Sequence, residues 1–264
     1  MQVLTPSVDL VRFLAKVAEA KHRLLMLDYD GTLAPFHVQP ECAVPYPEVR
    51  AMLADIVDAG GTRVVIVSGR PVDEVPPLLA LNEPPEIWGS HGWERLRADG
   101  RRVVQEPEAE VRSALAQAER AVREVMPPDA RLEHKLASLA LHWRGLAQNV
   151  VDTLREQASA AWQPIARDSA VELLPFDGGL ELRALSCNKQ YAVKTVLSET
   201  PEGSAVAYLG DDTTDEDAFR AIKARGIGVL VRPEFRPTQA DVWLRPPDEL
   251  LAFMRHWRVA QQSA

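Results

Sequence analysis

Residues 24–33 read LLMLDYDGTL, in which four apolar residues run directly into two carboxylates and a glycine. A short apolar run that ends at a turn is typical of a buried strand in a parallel sheet. Asp28 and Asp30 then follow the carboxyl end of that strand, where open α/β sheets bind their ligands. Two carboxylates this close repel each other unless a cation or a shared proton lies between them. The motif alone also fits an Asp-Gly turn whose carboxylates only cap backbone groups.

The bulk composition narrows the class of protein. The 264 residues are 46% hydrophobic and 26% charged, which is typical of a soluble globular protein with one large domain or two small ones. A formal net charge of -8 argues against general affinity for nucleic acid or for an anionic membrane. Cys42 and Cys187 form neither a disulfide framework nor a zinc spacing, so we expect a reducing, cytoplasmic setting. The sequence has no secretory signal pattern and no membrane-spanning apolar run, so we expect no membrane partner.

Three further apolar runs read as buried strands that end in polar residues: RVVIV before SGR, EIW before GSHG, and AVAYL before GDDTTDE. The first run is followed by Ser68 and Gly69, the second by His91, and the third by the acidic run 211–216. In addition, Lys189 opens a predicted helix. Each has a simpler interpretation, as a helix cap, a structural histidine, an acidic helix start or a solvated lysine. Those interpretations do not explain why so many such groups are expected at one edge of a sheet.

The pattern changes in the middle of the chain. A hairpin is predicted at residues 94–105 and helices at 107–125 and 147–162, separated by strand-like segments at 131–143 and 165–175. This predicts an inserted α+β cap domain at 104–177, between core segments 1–103 and 178–264, with a strand at 179–183 returning to the core sheet. The predicted fold class is therefore α/β, a doubly wound, mainly parallel sheet with an inserted cap.

Together the polar groups suit phosphoryl transfer. Carboxylates from Asp28 and Asp211 are ligands that Mg²⁺ prefers. An aspartate can form an aspartyl-phosphate intermediate. Ser68 and Lys189 could hold phosphate oxygens. Asp30 could protonate the leaving alcohol and then deprotonate the attacking water.

This motif set resembles the haloacid dehalogenase superfamily of phosphatases and, more narrowly, the trehalose-6-phosphate phosphatase family. The narrower resemblance adds GSHG at 89–92, EHK at 133–135, HWR at 142–144 and ELR at 181–183. The pieces span nearly the whole chain in the family's order. Four positions depart from the family's usual residues, and none of them touches the phosphate chemistry: Trp93, Trp143, Ala184 and Gln190.

The resemblance implies a function and a set of roles. Asp28 would be the nucleophile and Asp30 the acid and base, with Mg²⁺ held by Asp28, Asp211 and the carbonyl of Asp30. It also implies phosphate contacts from Ser68, Gly69 and Lys189, and sugar contacts from Arg70, His91, Glu133, Lys135, Arg144 and Glu181, the last reaching from the core side. The expected protein is a cytoplasmic, monomeric hydrolase of trehalose biosynthesis, which converts trehalose 6-phosphate to trehalose and phosphate.

Two alternatives stay open at this stage. The first is a phosphatase for another glycosyl phosphate, such as glucosylglycerol phosphate. The second is a receiver-like or inactive regulatory domain. A receiver is about half this length and has no inserted cap, and an inactive relative is expected to have lost Asp28 or Asp30, so the residues favour an enzyme. The sequence leaves open the preferred sugar, the oligomeric state, and whether Asp212 or Asp215 also contacts the metal.

Overall fold

The computed structural model describes residues 1–186 and 188–262, so Cys187 lies outside the described residues. The described chain forms two compact units. The first joins Met1–Val103 to Lys189–Ala264, and the second is Val104–Asn188. Each unit has its own sheet.

The strands of the described chain are β1 Gln2–Val3, β2 Arg23–Leu27, β3 Thr62–Val67, β4 Glu86–Gly89, β5 Glu94–Leu96, β6 Arg102–Val104, β7 Arg131–His134, β8 Ser138–His142, β9 Val171–Phe176, β10 Gly179–Ala184, β11 Ala205–Gly210, β12 Ile227–Val231 and β13 Val242–Leu244. The α-helices are α1 Leu10–Glu19, α2 Pro47–Asp58, α3 Val75–Leu79, α4 Ala109–Arg123, α5 Gln148–Asp168, α6 Lys189–Ser198, α7 Glu216–Ile222 and α8 Asp248–Gln262. Single 3-10 turns lie at Pro40–Cys42, Ser90–Gly92 and Thr213–Asp215.

The larger sheet is mainly parallel, with β2 near its centre. Among the described residues its strand order is β1-β13-β12-β11-β2-β3-β4-β5-β6. Strand β2 pairs in parallel with β11 on one side and β3 on the other, and Leu27 is level with both Leu209 and Ile66. The antiparallel pairs β1–β13 and β4–β5 lie towards the edges. The three central strands therefore deliver the residues that follow them to the same edge of the sheet.

Both faces of this sheet are covered, which follows from the alternation of side chains along a strand. Leu25 and Leu27 pack into a cluster with apolar residues of α1, α2 and α8. Leu24 and Met26 pack into a second cluster with residues of α6 and α7. All five residues of β2 are buried. The prediction of a doubly wound α/β core is confirmed.

The second unit is a four-stranded antiparallel sheet with two helices. Its strand order is β7-β8-β10-β9 within the described residues. Helices α4 and α5 pack against each other and against this sheet. The fully buried Trp162 of α5 donates its indole N–H to the carbonyl of Ala118 in α4 at 2.9 Å. The predicted α+β character of this region is confirmed.

The strand predicted to return to the core sheet does not do so. Strand β10 pairs antiparallel with β8 and β9, so its placement in the core was wrong. The turn at Asp177 and Gly178, where Gly178 has a φ of +90°, sends the chain directly back along β9. The compact unit accordingly extends to Asn188 rather than ending at residue 177, and Glu181 belongs to it rather than to the core.

One helix of the second unit runs further than predicted. Helix α5 continues to Asp168, so the strand predicted to begin at 165 starts only at Val171. The buried Ile165 lies three residues after the buried Trp162, which continues the helical apolar face past Pro164. Helix α8 runs to Gln262, and its residue Ala260 is buried in the core cluster. No helix in the described part of the chain is long and apolar enough to cross a membrane.

Candidate active site

Three aspartates meet at the carboxyl edge of the central strands. Asp28 follows β2 and donates its backbone N–H to Leu209 of β11 at 2.8 Å, and Asp211 follows β11. Asp28, Asp211 and Asp215 are 3%, 2% and 0% exposed, and each places a carboxylate oxygen within 4.8 Å of the others. The convergence of strand ends brings together two residues predicted for the site, and it adds Asp215.

Lys189 lies among these carboxylates, at the first residue of α6. Its Nζ is 2.6 Å from Oδ1 of Asp28 and 2.7 Å from Oδ1 of Asp215, and the side chain is buried. Burial works against a charged lysine, but the negative charges of Asp215 and Asp28 outweigh it and raise the pKa of Lys189. The simpler interpretation of Lys189 as a solvated lysine is therefore wrong.

The cluster holds more negative charge than one ammonium balances. Burial raises the pKa of Asp28 to about 7, although Lys189 opposes the shift, and the charge of Asp215 adds to it. Burial, followed by the charges of Asp28 and Asp215, raises the pKa of Asp211 well above its usual range. A buried group of like charges with shifted pKa values is the arrangement that a cation relieves.

Asp215 has all of its acceptor capacity in use. Its Oδ1 accepts from Lys189 and from the hydroxyl of Tyr208 at 2.5 Å, and its Oδ2 accepts the backbone N–H groups of Asp211 and Asp212 at 3.0 and 3.1 Å. It therefore fixes the loop that carries Asp211. The signal for this role was the pair of acidic residues at 212 and 215, three apart, which forms a capping box at the 3-10 turn.

Gly31 follows the second aspartate of the DYDG motif at a position that suits only a glycine. Its φ is +86°, which glycine adopts without strain. A Cβ at this position would lie 2.1 Å from Oδ2 of Asp211, which is shorter than any allowed contact. The loop after β2 thus approaches Asp211 as closely as a backbone without a side chain can.

Asp30 makes a two-point ion pair with Arg70. The Nε and Nη2 atoms of Arg70 each lie 2.7 Å from a different carboxylate oxygen of Asp30, and the guanidinium sits 5.5 Å from the centre of the Tyr29 ring. Burial alone would lower the pKa of Arg70, but the hydrogen bonds and charge of Asp30 outweigh it and raise that pKa. Arg70 was predicted to contact sugar, and in this structure its guanidinium holds the predicted acid and base.

The SGR and GSHG segments are locked to each other. The hydroxyl of Ser68 accepts the N–H of Arg70 at 3.1 Å, and the N–H of His91 donates to the carbonyl of Ser68 at 3.0 Å. A Cβ at Gly69 would lie 2.7 Å from the ring of His91. Ser90 and His91 have φ values of 49° and 58°, which are uncommon for residues with side chains. Ser68 therefore caps no helix, since the next helix begins at Val75 after Glu74, and its hydroxyl only accepts a local backbone N–H. The phosphate contacts of Ser68 and Gly69 and the sugar contact of His91 stay predictions.

The second unit carries the remaining predicted residues, in the strands of its sheet and in the turns that follow them. Ala140 is level with Glu133 on one side and Glu181 on the other, so these side chains share a face. Oε1 of Glu181 accepts from Lys135 at 3.2 Å and from Ser138 at 2.7 Å. Glu133 and Glu181 thus lie on one face of this sheet, and Lys135, in the turn after β7, contacts Glu181. The expectation that Glu181 reaches from the core side was wrong.

The neighbours of Glu133 stabilise its charged form. Burial would raise its pKa, but the hydrogen bond with His142 at 2.6 Å and the charge of Lys135 outweigh this and lower the pKa to about 2. Burial lowers the pKa of His142. Arg144 donates to the carbonyl of Asp177 at the β9–β10 turn. A sugar contact by Arg144 remains a prediction.

The core has the fold of the haloacid dehalogenase-like hydrolases, with the acidic cluster and lysine at the expected sheet edge. The C-terminal domain of C. albicans trehalose-6-phosphate phosphatase superposes with a TM-score of 0.83 at 21% identity, covering 98% of this chain and 99% of that one. A haloacid dehalogenase-like hydrolase from B. subtilis superposes with a TM-score of 0.63 at 15% identity, covering 89% and 99%. At these identities the likeness establishes the fold.

Comparison of the sequence with known families identifies which family of this fold the chain belongs to. The profile of the trehalose-phosphatase family matches residues 26–245, and the chain belongs to that family. It is 33% identical over 220 residues to the trehalose-phosphate phosphatase of Mycobacterium ulcerans, covering 79% of this chain and 53% of that protein. It is 30% identical over 275 residues to probable trehalose-phosphate phosphatase 9 of Oryza sativa subsp. japonica, covering 92% and 71%. The chain spans about half the length of the mycobacterial relatives it matches.

Proposed function

We propose that this protein is a Mg²⁺-dependent phosphatase that hydrolyses trehalose 6-phosphate to trehalose and phosphate through a phosphorylated Asp28. The observation that carries the proposal is the buried carboxylate of Asp28, held by Lys189 beside Asp211 at the end of β2, in a member of the trehalose-phosphatase family. We also propose a cytoplasmic monomer acting on a small sugar phosphate. The free, exposed thiol of Cys42 supports a reducing compartment.

The residues present fit a Mg²⁺ ion. The cluster offers only hard carboxylate oxygens, which suit Mg²⁺ and not the nitrogen and sulfur preferences of Zn²⁺. Because Asp215 is saturated by four hydrogen bonds, Asp28 and Asp211 are the residues that would hold the ion. The family resemblance adds the backbone carbonyl of Asp30. When bound, the ion would neutralise charge on the phosphate and relieve the repulsion among the carboxylates.

The chain's own residues then perform two displacements at phosphorus. A carboxylate oxygen of Asp28 forms a bond to phosphorus while the bond to the sugar oxygen breaks, and the carboxylic acid form of Asp30 gives its proton to that oxygen. Asp30, now a carboxylate, takes a proton from a water molecule whose oxygen attacks the same phosphorus. The bond between phosphorus and Asp28 breaks, which releases phosphate and restores both aspartates.

The supporting groups orient and balance charge during these steps. Lys189 fixes the orientation of Asp28 through its 2.6 Å contact and offsets part of the negative charge. Ser68 and the N–H of Gly69 are proposed to donate to phosphate oxygens. Glu133, Lys135 and Glu181 are proposed to bind sugar hydroxyls, since a carboxylate accepts and an ammonium donates hydrogen bonds. Glu133 and Glu181 share one face of the sheet and Lys135 contacts Glu181, which supports this assignment.

The test is phosphate release from a panel of sugar phosphates, including trehalose 6-phosphate and glucosylglycerol phosphate, with Mg²⁺ and after chelation. Asp28→Asn should lose turnover by at least about a thousandfold, because the shape remains and the nucleophile is gone. Asp241→Asn is the matched control, since Asp241 is another buried carboxylate of the core that accepts from Thr5 and from the N–H of Gly228. It should lower the melting temperature and keep the activity. Full activity in Asp28→Asn, or undiminished activity after chelation, would refute the proposal.

A further inference from the structure

Arg236, in the segment between β12 and β13, contacts residues 211–216, which we call the acidic loop. Its guanidinium donates from Nε to the carbonyl of Asp211 at 3.2 Å and from Nη2 to the carbonyl of Asp212 at 2.6 Å. The third nitrogen, Nη1, lies 2.5 Å from Oε1 of Glu216 and donates to the carbonyl of Pro237 at 3.0 Å. All three nitrogens of this side chain are therefore engaged at the loop.

Arg236 is itself held in place. Its side chain is 17% exposed, and its partner Glu216 also accepts from the hydroxyl of Thr238 at 2.8 Å and from the N–H of Gln239 at 2.7 Å. A guanidinium presents its donors in a rigid plane and stays charged at every relevant pH. The fixed plane thus sets where the two carbonyl groups of the loop can lie.

The backbone at Asp211 and Asp212 is consequently gripped from two sides. Asp215 accepts both of its N–H groups, and Arg236 donates to both of its carbonyl groups. Arg236 contacts the backbone of Asp211 and leaves the carboxylate for the cluster, whereas Lys189 pairs directly with carboxylate oxygens of Asp28 and Asp215. A positive group that fixes the backbone of a ligand aspartate orients that ligand without competing with a cation for its oxygens.

We propose that Arg236 is a positioning residue for divalent-cation binding: through the carbonyl groups of Asp211 and Asp212 it fixes the direction in which the Asp211 carboxylate faces the cluster. The inference rests on the proposed function only in taking this acidic cluster as the cation site. It assigns a role to a residue that lies outside every motif identified in the sequence.

The test measures Mn²⁺ binding by the full chain, with Mn²⁺ as a paramagnetic probe and no substrate present. Arg236→Ala should raise the Mn²⁺ dissociation constant by about 10- to 100-fold, the range typical of residues that orient metal ligands. Arg236→Lys should fall between the wild type and Arg236→Ala, because one ammonium cannot span both carbonyl groups in a plane.

The matched control is Arg225→Ala. Arg225 also donates to two backbone carbonyl groups, those of Thr200 and Pro201, and pairs with Glu202, but this cluster of contacts does not involve the acidic loop. Arg225→Ala should lower the melting temperature without changing Mn²⁺ affinity. A loss of affinity in Arg225→Ala as large as that in Arg236→Ala would overturn the proposal, because the effect would then be general destabilisation.

Asp211→Asn separates the two hypotheses. Wild-type Mn²⁺ affinity in Asp211→Asn would reject the cluster as the cation site and with it the proposed metal dependence. Lost affinity in Asp211→Asn together with wild-type affinity in Arg236→Ala would reject the role of Arg236 alone. If circular dichroism shows that Arg236→Ala does not fold, Arg236→Lys and Arg236→Gln decide, and unchanged affinity in both overturns the proposal.

Discussion

Replacing Arg70 by alanine should slow the hydrolysis of sugar phosphates far more than the hydrolysis of p-nitrophenyl phosphate. The reason is the two-point contact between Arg70 and Asp30, in which both bonds measure 2.7 Å. A sugar alkoxide is a strong base and needs a proton as it leaves, whereas nitrophenolate is a weak base and leaves without one. If Arg70 acts by orienting Asp30, its removal affects only the ester that needs the acid.

The size of the effect follows from the contacts. Each hydrogen bond between charged groups contributes about 1.5–3 kcal/mol, and about 1.4 kcal/mol corresponds to a tenfold change in rate. General acid catalysis as a whole contributes about 10²- to 10⁴-fold, which sets the upper limit. Losing the orientation supplied by one to two such bonds should therefore lower kcat for trehalose 6-phosphate by at least about 10-fold and by no more than about 10⁴-fold. For p-nitrophenyl phosphate the loss should stay below about threefold.

The assay compares kcat and KM for both esters in Arg70→Ala, Asp30→Asn and the double variant. Because Arg70 is expected to act through Asp30, the double variant should be no slower than Asp30→Asn alone. Arg63→Ala is the control, since Arg63 also donates two bonds to a carboxylate, that of Glu86, away from the acidic loop. A raised KM with unchanged kcat would show that Arg70 binds the sugar, as the sequence predicted. Equal losses on both esters would refute the orienting role as well.

Three further predictions concern other parts of the molecule. Gly31→Ala should abolish detectable Mn²⁺ binding, because its Cβ would lie 2.1 Å from Asp211, whereas Gly100→Ala, with a similar φ of +81° and open space around it, should only lower the melting temperature. Glu133→Ala and Lys135→Ala should each lower kcat/KM for trehalose 6-phosphate by about tenfold or more and leave p-nitrophenyl phosphate nearly unchanged, and equal losses on both esters would contradict this. Hydrogen bonds from Arg95 lower the pKa of Glu199 to about 2 from 4.5, so its ion pairs should stabilise the fold above pH 4.5 and lose that effect as the pH falls towards 2. Urea unfolding of Glu199→Gln should show a deficit at pH 7 that shrinks at pH 3, and a constant deficit would contradict the argument.

Much of the core could be predicted because its signals are local. Strand β2 is buried on both faces and therefore reads as an unbroken apolar run, and Asp28 follows it directly. Parallel strands deliver their ends to one edge, so Asp28, Asp211 and Lys189 could be expected together before any distance was known.

The placement of β10 was missed although a local signal was present, because Asp177 and Gly178 form an Asp-Gly turn that pairs β10 directly with β9. Other contacts were missed because they join residues far apart in the chain. Arg70 and Asp30 are 40 residues apart, and Arg236 and Asp211 are 25 apart. An arginine has many acidic or carbonyl partners available along a chain, and only the folded backbone selects among them.

Because β2 is buried on both faces, the candidate active site depends on which face of the sheet each of its residues points to. Leu25 and Leu27 enter one layer of the core, and Leu24 and Met26 enter the other. Deleting a single residue from Arg23–Leu27 would exchange the two sets and present Asp28 to the opposite side of the sheet. Exchanges among apolar residues in this strand should be tolerated far better than any change in its length. A mutational scan should therefore find the strand permissive to side-chain identity and intolerant of insertions and deletions, whereas the exposed turn at Asp99 and Gly100 should accept added residues.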